Sequence, residues 1–199
     1  MDSKNSERTP LRNTVSDGLK IVVVGGFGVG KTTMVRSVSE IRPLRTEETM
    51  TRAGLGIDDP RAVADKETTT VAFDFGRITL NEQMVLYLFG APGQQRFWFL
   101  WDRLFSGTLG AVVLVDTRRL SDSWYSIDRL EHHGLPFIVA RNNFGPPQHS
   151  LEQVRAALDL SPDVPLVDCD ARQRESSKGV LIALVNHLHS LSTAKVSTR

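Results

Sequence analysis

The chain has 199 residues, of which 40% are apolar and 24% charged, so it is large enough for one α/β domain with a sizeable core. Its net charge of +1 and the lack of any apolar run near the ~20 residues that span a bilayer give no case for nucleic acid binding or direct membrane insertion. The single cysteine, Cys169, excludes an intramolecular disulfide and favours a cytoplasmic location.

The first segment, residues 1–18, is polar and carries charges of both signs, which predicts a disordered leader. We expect one folded domain over residues 19–191 and a flexible tail over residues 192–199. The domain opens with Ile21–Val24, an uninterrupted β-branched run. Such a run is typical of a strand that is buried on both faces of a parallel sheet.

A glycine-rich segment follows this strand directly. It reads Gly25-Gly26-Phe27-Gly28-Val29-Gly30-Lys31-Thr32-Thr33. This is the G-x-x-x-x-G-K-T spacing of a phosphate-binding loop (P-loop), in which glycines let backbone amides converge on an anion beside a helix N-terminus. Lys31 is expected to reach the β- and γ-phosphates, and the Thr32 hydroxyl to ligate Mg²⁺. Because a strand precedes the motif and a helical pattern follows it, a merely structural glycine turn is the weaker interpretation.

A helix is predicted over Lys31–Ile41, where apolar residues recur at helical spacing. Residues 42–69 are long and irregular, and connections of this length are often functional. We predict a short helix inside this stretch, around Glu47–Arg52.

The next segments predict an antiparallel hairpin. Thr70–Phe75 alternates between apolar and polar residues, as a half-buried strand does. Arg77–Leu80 continues it, three turn residues follow, and Met84–Phe89 forms a fully apolar strand. The sequence Gly90–Gly93 then predicts a tight turn at the carboxyl end of that strand.

The remaining strands and helices alternate. The predicted strands are Leu109–Val115, Pro136–Ala140 and Val164–Val167, and the predicted helices are Arg96–Phe105, Ser123–His133, Leu151–Leu158 and Ser176–Leu191. This order predicts a three-layer α/β fold, with helices on both faces of a six-stranded, mostly parallel sheet that has one antiparallel strand. The P-loop, the turn at Gly90, Asn142 and Asp170 all follow strands, so one site at the carboxyl edge of the sheet is expected to collect them.

Several motifs resemble those of the small Ras-like GTPases. Gly93–Phe97 reads G-Q-Q-R-F, similar to the G-Q-E-R-F of their second switch, and Thr70–Phe75 is similar to the strand that carries their first-switch threonine. Leu88–Phe99 resembles still more the bacterial GTPases of the gliding-motility and conservon type, which have a proline in this turn. The resemblance runs over about residues 19–191 and implies a GTP/GDP-dependent regulatory switch with slow, Mg²⁺-dependent hydrolysis.

The resemblance also implies a role for particular residues in cleaving the β–γ phosphate bond. Gln94 orients the attacking water, Gly93 belongs to the nucleotide site, and Lys31 stabilises charge that develops on phosphate. In this family, fast turnover usually also requires an arginine finger, a basic side chain that stabilises the charge developing on the phosphates. Arg52 and Arg61 in the long loop are candidates for it, with ordinary surface arginines as the alternative interpretation.

The metal site departs from the family pattern. The second-switch turn of Ras-like proteins begins with an aspartate that supports Mg²⁺ through water, and Gly90 stands at that position here. The metal is then expected on Thr32, with Thr70 joining it when the γ-phosphate is present. Asp116 is another candidate acid, and helix capping is the alternative role for it.

The base-reading motif departs further. Family members carry N-K-x-D or a relaxed N-x-F-D. Residues 141–145 read R-N-N-F-G here, so that Asn142 matches and Gly145 replaces the aspartate. The carboxylate normally accepts hydrogen bonds from guanine, and its loss costs about 1–3 kcal/mol per buried polar group left unpaired. Guanine specificity is therefore expected to be weak.

The third base-reading element appears at residues 170–172. The Ala171 amide is expected to donate to a base oxygen, and Asp170 is a possible partial replacement for the missing carboxylate. Two other functions stay open at this point. One is an ATP-binding P-loop enzyme, and the other is a nucleotide-binding scaffold without turnover.

An aromatic cluster in the second-switch segment suggests a protein partner. In the predicted helix, Trp98 and Phe99 do not lie on the face that packs on the core. Exposed aromatic residues of this kind often anchor interfaces. Burial beneath the long loop is the alternative for both side chains. The resemblance implies a roadblock-type regulator as partner, in a sensor complex that would recruit the cytoplasmic protein to a membrane.

Overall fold

A computed structural model of the chain describes residues 15–42, 44–51, 68–94, 97, 100–146 and 148–197. Within this part, seven strands form one sheet. The strands are β1 (Asp17–Val24), β2 (Leu44–Thr51), β3 (Thr68–Thr79), β4 (Met84–Gly90), β5 (Gly110–Val115), β6 (Phe137–Asn142) and β7 (Leu166–Cys169). The helices are α1 (Lys31–Val38), α2 (Trp101–Phe105), α3 (Trp124–His132), α4 (Leu151–Ala157) and α5 (Arg174–Ser197), and a 3₁₀ segment covers Thr117–Ser123.

The strands follow the order β2-β3-β4-β1-β5-β6-β7, so β1 and the loop after it lie at the centre of the sheet. β1 pairs in parallel with β4 and β5, and β5, β6 and β7 continue the parallel arrangement. β3 is antiparallel to both of its neighbours, β2 and β4. The predicted architecture, a mostly parallel sheet with one reversed strand, is confirmed.

The prediction of a short helix at Glu47–Arg52 is wrong, because β2 covers residues 44–51 and adds a seventh strand to the six predicted. β2 pairs with β3 along its whole length, from Leu44 opposite Phe75 to Thr51 opposite Thr68. The hydrogen bonds of this pairing come from a distant segment, and such tertiary pairing overrides the weak local preference of the segment.

The β1 strand alternates between the two halves of the core. Ile21 and Val23 pack on the face that carries α1 and α5, and Val22 and Val24 pack on the face that carries α2, α3 and α4. All four side chains are at most 1% exposed. Because burial of each such side chain is worth about 1.5–3 kcal/mol, β1 forms a rigid base for the loop that follows it.

The helix bounds agree with the predictions in part. The predicted capping box at the start of α4 is confirmed, since Ser150 and Gln153 exchange hydrogen bonds between side chain and backbone. α5 extends to Ser197, beyond the predicted end at Leu191. None of the helices in the described ranges combines the length and the apolar character needed to cross a bilayer.

Candidate functional site

The glycine-rich loop lies between the carboxyl end of β1 and the first turn of α1. Gly25, Gly28 and Gly30 have φ angles of +135°, +75° and +107°, a region that side chains disfavour. A Cβ atom at Gly25 would also overlap the carbonyl oxygen of Leu114. Glycine is therefore required here both by backbone conformation and by space, and the loop curls over the N-terminus of α1.

Lys31 lies inside this loop and is only 8% exposed. Its Nζ donates hydrogen bonds to the carbonyl oxygens of Gly25 and Gly26, at 2.9 Å and 2.7 Å. Burial lowers the pKa of the Lys31 ammonium to about 8, although the negative charge of Asp74 opposes this shift. The loop thus holds a buried cation whose hydrogen bonds can be transferred from carbonyl to phosphate oxygens.

The lowered pKa of Lys31 predicts how stability depends on pH without nucleotide. The folded pKa is near 8 and the ordinary value is 10.5, so the unfolded chain binds more protons between these pH values. Stability should therefore rise with pH in this window, by up to about 1.4 kcal/mol per pH unit, and should not respond to this group below pH 8. Unfolding by urea at several pH values, in wild type and in Lys31→Met, measures the effect as a difference between the two proteins.

The contributions of other titrating groups to the pH dependence are the same in both proteins and cancel in that difference. One such group is Cys169, since burial raises the pKa of its thiol to about 11. Lys178→Met is the matched control, because Lys178 is an exposed lysine that pairs with Glu175. If wild type and Lys31→Met gave parallel stability curves from pH 8 to 10, Lys31 would have an ordinary pKa.

An acidic residue that sequence reasoning did not place in the site lies next to Thr32. The Thr32 hydroxyl donates a hydrogen bond to the carboxylate of Asp74 on β3. Asp74 is the cross-strand partner of Gly90, the position at which Ras-like GTPases have an aspartate. A Cβ atom at Gly90 would lie only 3.1 Å from the Asp74 Cβ and 3.2 Å from its Oδ2. The Asp74 carboxylate thus occupies the space that a side chain at position 90 would fill.

The loop, Asp74 and the turn after β4 line one cleft of about 470 Å³. Gly93 and Gln94 belong to this lining, and the P-loop contributes Phe27, Gly28, Gly30, Lys31, Thr32 and Thr33. A Cβ atom at Gly93 would lie 2.6 Å from the Lys31 Nζ and 2.9 Å from the Gly26 carbonyl oxygen. The turn therefore lies directly against the P-loop, and the cleft brings together a cation, a hydroxyl, a carboxylate and an amide side chain.

Some predicted site residues lie elsewhere. Thr70 lies in β3 opposite Thr49. It precedes Asp74 by four positions, which is about 13 Å along a strand at about 3.3 Å per residue. The structure describes only its backbone, so its role as a metal ligand stays a prediction. The predicted residues that lie outside the described ranges are Arg52, Arg61, Trp98 and Phe99.

Asn142 connects the phosphate loop to the other end of the site. Its side-chain amide donates to the Val29 carbonyl oxygen at 2.8 Å, and its side-chain oxygen accepts from the Ala171 amide at 3.0 Å. Asn142 is only 7% exposed, and a Cβ atom at Gly30 would lie 2.5 Å from its Nδ2. The Ala171 amide, predicted as a donor to the base, therefore donates to Asn142 instead. Asn142 thus ties the end of β6 to the P-loop and to the loop after β7.

A second cavity, of about 520 Å³, is lined by Asn142 and by the loops after β5, β6 and β7. Asp116 lies at the end of β5 and caps the 3₁₀ segment by accepting from the Arg118 amide at 3.0 Å. The Arg118 guanidinium also forms a fork with this carboxylate, which holds the pKa of Asp116 below its ordinary value. The structure thus supports the capping role of Asp116. The Arg118 guanidinium carbon lies 4.1 Å from the centre of the Phe144 ring, over the cavity wall.

The cavity has no carboxylate at the position that reads guanine in Ras-like proteins. Gly145 has a φ angle of +154°, which disfavours an aspartate there, and its amide donates to the Asn143 side chain at 2.9 Å. The Asp170 carboxylate accepts from Arg172 Nε and Nη2, each at 2.8 Å. The Asp168 carboxylate is likewise paired with Arg141. The carboxylates of this cavity are therefore already engaged by arginines.

Comparisons with known proteins agree with this geometry. The family model described as "Conserved hypothetical ATP binding protein" matches residues 23–190. An uncharacterized protein of Methanocaldococcus jannaschii is 32% identical over 103 residues, which are 52% of this chain and only 54% of that relative.

Two solved structures have a similar fold. The FeoB G-domain from Methanococcus jannaschii has a TM-score of 0.56 at 14% identity, over 87% of this chain and 99% of that one. The G domain of the T. maritima FeoB iron transporter has a TM-score of 0.59 at 16% identity, over 85% of this chain and 98% of that one. At these identities the likeness establishes the fold, which is that of a G-domain P-loop protein.

Proposed function

The chain belongs to the family of conserved hypothetical ATP-binding proteins, and from this premise we propose that it is a nucleotide-dependent regulatory switch that slowly hydrolyses a bound nucleoside triphosphate. One observation carries the proposal: the P-loop lysine, the pair formed by Thr32 and Asp74, and the Gln94 turn share a single cleft. Backbone amides at a helix N-terminus bind phosphate, and a hydroxyl beside a carboxylate suits Mg²⁺, which prefers oxygen ligands.

The residues of the cleft supply the elements that phosphoryl transfer needs. Mg²⁺, held by Thr32, Asp74 and phosphate oxygens, would neutralise charge on the β- and γ-phosphates. Lys31 would exchange two neutral carbonyl acceptors for anionic phosphate oxygens, and the opposite charges would add a Coulombic attraction that the carbonyl groups do not provide. Gln94 orients the water that attacks the γ-phosphorus while the bond to the bridging oxygen breaks. Turnover is slow, because positioning without an arginine finger gives only modest acceleration.

The conformational change that reports the bound nucleotide would involve β3. Asp74 lies on this strand, and the first eight residues of β3, Thr68 to Phe75, pair with the edge strand β2. Asp74 would help to hold Mg²⁺ when a triphosphate is bound, and loss of the γ-phosphate would weaken that interaction. The position of β3 and β2 would therefore depend on the nucleotide that is bound, and an edge strand is a surface that a partner protein can contact.

A second candidate is a protein that prefers ATP. The description of the family and the glycine-favouring backbone at Gly145 support it, because no described carboxylate is available to read guanine. In Ras-like proteins a carboxylate worth about 1–3 kcal/mol per hydrogen-bonding group favours guanine over adenine. Because Gly145 replaces that carboxylate here, we expect the affinities for GTP and ATP to differ by less than about a hundredfold.

Competition and turnover measurements test these proposals together. GTP, GDP, ATP and ADP would each displace one fluorescent nucleotide in the presence of Mg²⁺, and phosphate release would then be followed with each triphosphate. We expect slow release, and a further loss of at least tenfold in Gln94→Ala with nucleotide affinity unchanged. Gln83→Ala, in the exposed turn of the hairpin, is the matched control. Binding without release would identify a scaffold, and rapid release retained in Gln94→Ala would contradict the role of Gln94.

A further inference from the structure

Two consecutive arginines of the 3₁₀ segment point to different ends of the site. Arg118 is held by the buried carboxylate of Asp116, over the second cavity. Arg119 interrupts the segment, with φ −150° and ψ 54°, and turns the other way. Its Nη2 donates a hydrogen bond of 2.9 Å to the carbonyl oxygen of Phe27 in the middle of the P-loop. A kink in the chain thus directs this cation to the phosphate loop.

The contact between the 3₁₀ segment and the loop depends on Gly26. A Cβ atom at Gly26 would lie 2.7 Å from the Cβ of Asp122, so a side chain there would push the segment away. A Cβ atom at Gly28 would lie at an ordinary contact distance, 3.6 Å, from the Arg119 Nη2, so the guanidinium lies close to the loop at this point too. Asp122 Oδ2 lies 3.7 Å from Arg119 Nη1 and orients the guanidinium from its other side.

We propose that Arg119 is a second cation of the phosphate site and contacts the terminal phosphates of the bound nucleotide. This inference rests on the proposed function, in which the loop binds a nucleoside di- or triphosphate. A guanidinium has five N–H donors, and the described contacts engage it only with one neutral carbonyl and one long ion pair. The Arg119 side chain is 51% exposed, so it can rotate toward an anion at the loop. Arg119 would thereby strengthen nucleotide binding, a role separate from the catalytic finger for which Arg52 and Arg61 are candidates.

The alternative is a purely structural role, in which Arg119 only clamps the Phe27 carbonyl. The two roles differ in how the affinity depends on the number of phosphates. A cation that contacts the terminal phosphates strengthens binding of triphosphates and diphosphates more than binding of monophosphates. A clamp that shapes the loop changes the affinity for all three by a similar factor.

The test measures the affinities of GTP, GDP, GMP and the adenine series for wild type, Arg119→Gln and Arg119→Lys. Glutamine is polar but removes the charge and is too short to reach the Phe27 carbonyl from the same backbone position, whereas lysine keeps the charge. We expect Arg119→Gln to bind triphosphates at least tenfold more weakly and monophosphates less than twofold more weakly, while Arg119→Lys recovers most of the loss. Arg103→Gln, an exposed arginine on α2, is the matched control and should bind like wild type.

Equal losses for all phosphate lengths in Arg119→Gln would overturn the proposal and leave the clamp. Triphosphate binding within twofold of wild type would also overturn it. Both results leave the proposed function intact, since wild type still binds nucleotide. Absence of nucleotide binding in the wild type would instead refute the proposed function and this inference with it.

Discussion

Replacing Lys31 by methionine is expected to weaken nucleoside triphosphate binding by at least a hundredfold. Methionine is similar in length and fills the same buried space, but it removes the cation and its N–H donors. Hydrogen bonds to charged groups are worth about 1.5–3 kcal/mol, and a hundredfold loss corresponds to about 2.7 kcal/mol. Because Lys31 already lies inside the loop, between the Gly25 and Gly26 carbonyls, its charge is in position before nucleotide arrives.

Titration of a fluorescent triphosphate and of the corresponding monophosphate measures this effect. The loss should be large for the triphosphate and small for the monophosphate, because Lys31 is expected at the β- and γ-phosphates. Lys178→Met, which removes an exposed lysine of α5, serves as the control and should keep wild-type affinity. If Lys31→Met remained folded, as judged by thermal unfolding, and still bound triphosphate like wild type, the glycine-rich loop would not be the phosphate site.

The P-loop and its flanking elements could be predicted because their information is local. The β-branched run that forms β1 is buried on both faces, and the glycines stand where the loop needs positive φ angles. The lysine and threonine then begin α1. The hairpin of β3 and β4 was accessible for a similar reason, since polar turn residues separate two apolar runs. Each of these elements depends on residues close together in the sequence.

The edge strand β2 could not be predicted in this way. Its sequence, Leu44–Thr51, mixes threonines with charged residues and has no clear period, and its strand conformation depends on pairing with β3. The directions in which the Arg118 and Arg119 side chains point could not be predicted from the sequence either. They depend on a kink at Arg119 and on contacts with the P-loop, which lies about 90 residues earlier in the chain.

Asp74 is an intermediate case, because a signal existed. A hairpin in which Leu80 and Met84 flank a three-residue turn pairs residues whose numbers sum to 164, so that Asp74 faces Gly90. Position 90 is where the Ras-like pattern expects an acid and the sequence has none. The predicted register together with the missing acid was therefore sufficient to suggest that a neighbouring strand provides the carboxylate.

Asp74→Asn is expected to remove most of the effect of Mg²⁺ on triphosphate binding. Asparagine keeps the shape and can still accept a hydrogen bond from Thr32, but it is a much weaker ligand for Mg²⁺. We expect the factor by which millimolar Mg²⁺ raises triphosphate affinity to fall at least tenfold. Affinity in excess EDTA should stay constant or increase, because a negative charge near the phosphates has been removed.

A relocation of the carboxylate makes this test sharper. Gly90→Asp alone should be poorly tolerated, because the new side chain would meet Asp74 at about 3 Å. In the double variant Asp74→Gly with Gly90→Asp, the space is vacated and the acid returns from the opposite strand, so part of the Mg²⁺ effect should be restored. Asp163→Asn, an exposed site after α4, controls for loss of one negative charge. An unchanged Mg²⁺ effect in Asp74→Asn would mean that the metal relies on Thr32 and the phosphates without Asp74, and that β3 does not sense the nucleotide through this carboxylate.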